Sequence, residues 1–142
     1  MHKHGIALAI AFTFGMGQAW AADGMSREAY KAEKDKIEAT AKVDKKACEP
    51  MKENAKDVCE AEAKAKEKIA KAELDAQNRP DARATEKVSL MKAEGAYEVA
   101  KEKCEDQKGT AMASCKKDAK LAYDKAKADA KQASAKAAAK KS

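Results

Sequence analysis

The stretch CEPMKENAKDVC, residues 48–59, and its counterpart CEDQKGTAMASC, residues 104–115, set four cysteines in two pairs of equal spacing. No other feature restricts the fold of this chain so severely, because the sequence around them is plain. It is rich in Ala, Lys and Glu, with 38% charged and only 4% aromatic residues. Large side chains dominate core energetics and Ala buries little area, so a thick globular core is not expected. With 142 residues the chain is long enough for one modest domain.

Residues 1–21 have the layout of a secretory signal peptide. A short basic start precedes an apolar stretch from Gly5 to about Gly17, and Ala19-Trp20-Ala21 leads into Ala22. The apolar stretch is shorter than the roughly 20 residues a membrane-spanning helix needs, so cleavage after Ala21 is expected rather than retention as an anchor. His2, His4, Phe12, Phe14 and Trp20 all lie in this leader. The remaining chain has Tyr30, Tyr97 and Tyr123 as its aromatic residues and no histidine. The mature chain is expected without a transmembrane segment, in the periplasm or secreted. In such an oxidising compartment, four cysteines are expected to form two disulfides. Zinc is the rival, but its paired ligands usually stand about two to four residues apart. Here ten residues intervene and no histidine remains to help. A CxxC redox motif is absent.

The rest reads as helix. Ser26 is a candidate N-cap, and strong helix formers run from there to Gln77 with one interruption, Pro50. The clearest break is AQNRPDARAT, residues 76–85, where Asn78 and Pro80 favour a turn. Helical sequence resumes at about Thr85, weakens at Gly109 and continues to the C-terminus. On one continuous helix, eleven residues turn through about 1100°, so Cys48 and Cys59 share a face but stand about 16 Å apart. A disulfide needs Cα atoms within roughly 7 Å. Bonding across pairs meets this limit in an antiparallel hairpin, since Cys48 with Cys115 and Cys59 with Cys104 share an index sum of 163. Its midpoint falls within residues 76–85.

The expected fold is therefore all-α: an extended, coiled-coil-like antiparallel hairpin over residues 22–115, stapled by nested Cys48–Cys115 and Cys59–Cys104 bonds. Its seams run through Ile37, Ala41, Cys48, Met51, Ala55, Cys59, Ala63, Ala70 and Leu74, and through Leu90, Ala93, Tyr97, Ala100, Cys104, Ala111, Cys115, Ala119 and Ala122. Asp44, Lys66 and Lys108 interrupt them. The alternative joins Cys48 to Cys59 and Cys104 to Cys115, with Pro50 and Gly109 supplying reverse turns. A faint repeat at an offset of 56 aligns the two cysteine segments.

Residues 116–142 form a Lys/Ala-rich tail, helical or frayed, that could continue pairing with the first helix. It carries Lys116, Lys117, Lys120, Lys125, Lys127, Lys131, Lys136, Lys140 and Lys141 against three aspartates, whereas residues 22–115 are nearly neutral. A basic end of this kind is a candidate handle for an anionic envelope surface. No catalytic constellation, cofactor motif or metal-ligand cluster stands out, and the loss of histidine removes the usual general base. The alternating charges fit a solvated helix face. Nucleic-acid binding is not expected, because only Arg27, Arg79 and Arg83 are arginine.

Two stretches, EAEAKAKEKIAKAE (Glu60–Glu73) and YDKAKADAKQASAKAAAKK (Tyr123–Lys141), resemble the long Ala/Lys/Glu helix of the TolA envelope family. That family has an uncleaved membrane anchor and a globular C-terminal domain, for which no counterpart is read here. The resemblance implies an envelope-associated structural role. The paired cysteines are similar in architecture to twin-Cys helical hairpins, which typically have nine residues between paired cysteines. The expected function is a small exported, non-enzymatic structural or interaction module of the bacterial cell envelope. Its partner would be an unknown envelope protein or an anionic envelope surface, with self-association as a further option. A periplasmic binding or chaperone-like protein for unfolded or anionic clients is the alternative, and thiol-redox turnover a third reading.

Overall fold

The computed structural model describes residues 24–140; the expected leader, residues 1–21 with its cleavage site, and Lys141 lie outside the described residues. The chain is all-helical, with α1 at Arg27–Ala47, α2 at Glu53–Asn78, α3 at Ala82–Cys104 and α4 at Gly109–Ala139. Local chemistry sets these limits. The Ser26 hydroxyl accepts the Ala29 N–H at 3.1 Å to start α1, and the Asp81 carboxylate accepts the Ala84 N–H at 2.7 Å to start α3. Helix α2 stops where Arg79 leaves the helical region (φ −136°, ψ 84°) ahead of Pro80.

Each helix packs antiparallel against its neighbours in the chain and, among the described residues, against no other helix. The result is an open meander rather than a closed bundle. The α1–α2 and α3–α4 turns lie at one end. The α2–α3 turn, the start of α1 and the end of α4 lie at the other. Such an array buries narrow stripes: Ala41, Cys48, Ala63, Ala72, Leu74, Ala93, Cys104 and Ala130 are the buried hydrophobic residues among those described. Leu74 is the bulkiest of them. Met51 is exposed at 43%, so this member of the expected seam lies outside the core. The charges that interrupt the seams are partly accommodated, since Lys66 and Asp44 face each other at 3.9 Å across α1 and α2.

The nested disulfide pairing is not what forms. Cys48 bonds Cys59 and Cys104 bonds Cys115, each with Cα atoms 5.7 Å apart. The continuous-helix spacing of about 16 Å does not apply, because the chain leaves helix between the members of each pair and reverses. Pro50 sits within the first turn and kinks no helix. Helices α2 and α3 do run antiparallel, with the Lys68–Glu94 and Lys87–Asp75 ion pairs at 2.7 Å fixing their register. Their cysteines bond instead across the turns that join them to α1 and α4. The two-armed hairpin is therefore replaced by four shorter helices. Residue 116, the expected start of the tail, lies inside α4. Beyond it the chain lies along α3, not along the first helix: Tyr123 stacks on Tyr97 with ring centroids 5.1 Å apart, Ala130 is buried, and the Ser134 hydroxyl donates to the Ala82 carbonyl at 3.2 Å.

Gly95 shows how close the central helices come. It is buried in α3, and a Cβ built there would stand 2.7 Å from the Ala65 Cβ of α2. Glycine within a helix costs about 1 kcal/mol relative to alanine, so Gly95→Ala would stabilise an isolated helix. Ala65 cannot swing aside, however, and overpacking typically costs about 1–3 kcal/mol. Gly95→Ala is expected to lower the stability of the folded chain by about 1 kcal/mol, read from urea denaturation; a gain in stability would show that the α2–α3 seam has room to spare.

Candidate functional site

The two stapled turns are one device used twice. Cys48 and Cys104 each close the end of a helix, and their carbonyls accept the N–H of Met51 at 3.0 Å and of Gln107 at 3.1 Å. Lys52 (φ −126°, ψ 158°) and Lys108 (φ −126°, ψ 152°) are extended. The next residue turns left-handed in both, Glu53 at φ 50° and Gly109 at φ 58°. Every matched position differs by 56 in number, so the sequence repeat around the cysteines is also a repeat of backbone geometry. Gly109 suits the left-handed region, whereas Glu53 carries a Cβ there and is strained. No free cysteine remains among the described residues.

Ion pairs lace the helices together where the apolar stripe is thin. Glu67 of α2 accepts hydrogen bonds from Lys45 of α1 and from Lys71, both at 2.8 Å, and Lys71 also reaches Glu38 of α1 at 3.2 Å. The hydrogen bonds from Lys45 and Lys71 outweigh partial burial and lower the Glu67 pKa to about 2. Asp75 joins three helices: Tyr30 of α1 donates to one carboxylate oxygen at 2.6 Å and Lys87 of α3 to the other at 2.7 Å. The Lys87 bond first, and then the Tyr30 bond, hold Asp75 below the ordinary carboxylate range. The hydrogen bond to Asp75 raises the Tyr30 pKa. Sequence reading missed this node, because nothing in the spacing of residues 30, 75 and 87 announces contact across two turns.

The lysines of the expected tail do not form one cluster. At about 100° per residue, Lys116, Lys120, Lys127 and Lys131 fall within about 60° along one flank of α4, while Lys117, Lys125, Lys136 and Lys140 lie around the far side. Lys116 pairs with Glu105 and Lys120 with Asp124, both at 2.6 Å. Lys120 and Lys127 stand 5.8 and 5.6 Å over the Tyr123 ring, and Lys101 stands 5.0 Å over Tyr97. Cations thus line the stacked tyrosines. Among the described residues, no group of three or more His, Cys, Asp or Glu could hold a metal ion, and no helix is long and apolar enough to cross a membrane.

Glu53→Gly is expected to raise stability by about 1 kcal/mol, and Gly109→Ala to lower it by a similar amount, both measured as shifts in urea midpoint. Equal, near-zero effects would mean the turns do not hold their left-handed residues. A carboxylate with a depressed pKa stabilises the fold above its unfolded value and loses that contribution on acidification. The Glu67 contribution should therefore fade as pH drops from about 4.5 toward 2. Glu67→Gln should flatten that part of the stability–pH curve while costing up to about 1 kcal/mol at neutral pH.

No known protein family, curated protein or solved structure matches this chain.

Proposed function

We propose that this chain is a small exported, non-enzymatic helical protein that serves as a structural or interaction module of the bacterial cell envelope. The observation that carries this reading is the pair of disulfides: both cysteine pairs are bonded, and such bonds persist in oxidising compartments. The leader-like residues 1–21 supply a route there. An open meander with a thin Ala-rich core and long charged faces supports a role as a spacer or docking surface. The resemblance of Glu60–Glu73 and Tyr123–Lys141 to the TolA helix directs that role to the envelope. With no helix-closing contacts beyond chain neighbours among the described residues, the staples give the turns the definition that burial does not.

Two measurements test the reading together. Alkylation of intact cells with a mass-shifting maleimide should find no free thiol in protein made from the full chain, and four in protein made without residues 1–21. Photo-crosslinking from the exposed face of α4 in living cells should then yield a discrete adduct with an envelope component. Free thiols in the full-length product would overturn export, and crosslinking to cytoplasmic proteins alone would overturn the envelope role.

A further inference from the structure

The end of the meander opposite the staples gathers every arginine in the chain. Arg27 begins α1, Arg79 lies in the α2–α3 turn and Arg83 lies in the first turn of α3, and all three line one cleft with Lys87. The chain has 30 basic residues, so three arginines converging from three separate segments stand apart from its general lysine coating. Ion pairing separates them further. Among the described residues every ion pair is made by a lysine, and none of the three guanidiniums has a described carboxylate within pairing distance.

Acidic residues line the cleft as well, but both are already engaged. Asp75 accepts from Tyr30 and Lys87, and Arg79 adds only longer-range attraction. Asp81 caps α3 through the Ala84 N–H. Among the described residues, the three guanidiniums are therefore the charged donors of the cleft that carry no ion pair, and Arg27, Arg79 and Arg83 are exposed. A guanidinium is a planar fork that binds oxyanions in a bidentate manner, which the lysines elsewhere on the surface cannot do. Three such forks lining one cleft suit an anion with several oxygens. A cleft of about 650 Å³ also admits more than a bare phosphate. The starts of α1 and α3 lie at the same end and add favourable dipoles for negative charge.

We propose that the cleft formed by Arg27, Arg79 and Arg83 binds a phosphate ester or diphosphate group, either free in solution or as a lipid headgroup. This site is distinct from the lysine flank of α4, and it does not depend on where the protein resides. Protein purified from cells expressing the full chain is titrated with inorganic pyrophosphate, followed by amide NMR shifts, and separately with vesicles containing phosphatidylglycerol, followed by co-sedimentation. Saturable binding to either probe is expected. With pyrophosphate, the shifts should concentrate around residues 27, 79 and 83. The variant carrying R27Q, R79Q and R83Q should bind the effective probe about tenfold or more weakly. A charge-matched variant carrying K117Q, K125Q and K136Q on α4 should retain binding within about threefold. All six positions are exposed, and circular dichroism establishes that both variants remain folded. Pyrophosphate binding identifies a soluble ligand source, and vesicle binding alone identifies a headgroup. Binding to neither probe, or equal loss in the two variants, would overturn the proposal.

Discussion

Each helix of this protein touches only the helix before it and the helix after it among the described residues. That constraint governs the rest of the structure. A residue in a closed bundle can be covered from several sides, whereas a residue here has one seam to enter, and only small side chains disappear completely. Five alanines, two half-cystines and one leucine make up the buried hydrophobic set among the described residues. Such stripes contribute little per residue, so polar contacts and covalent bonds share the work of holding the helices in register. Lysines reaching across α1–α2 and α2–α3 to Glu67, Asp75 and Glu94 mark the seams as clearly as any apolar pair.

The architecture is also a doubled one. Helices α1 and α2 with the first staple, and α3 and α4 with the second, share turn length, hydrogen bonding and a left-handed residue at the same place. The two halves differ where they meet different neighbours. Gly95 in α3 permits close approach to Ala65 of α2, while its counterpart in α1, Ala39, is exposed and keeps its Cβ. Glu53 and Gly109 differ in another sense, since one half uses the residue suited to the turn and the other tolerates strain.

The all-helical class is legible in the sequence, because Ala, Lys and Glu leave no alternating β-branched runs and Asn78–Pro80 interrupts the longest helical stretch. The nested disulfide pairing fails for a physical reason. Equal spacing and shared helical faces are properties of a continuous helix, and they carry no weight once the chain reverses within each interval. Pro50 and Gly109 are the visible signs of that reversal, and the two equal intervals signify repetition rather than symmetry about a central turn. The placement of α4 against α3 follows directly from the same turn. The arginines stand out in the sequence for their scarcity. That they meet can be read only in part: two flank Pro80, but Arg27 arrives because α1 runs back along α2.

The serial packing has a mechanical meaning. Tension between the start of α1 and the end of α4, which lie at the same end, would open the chain as a concertina, one seam at a time. Each staple spans eleven residues and withdraws only about 30 Å of contour from the extended chain. The bonds would therefore scarcely shorten the reach of the opened protein. They would keep its two hairpin corners folded as the seams part, so that the corners persist as points from which the helices can close again.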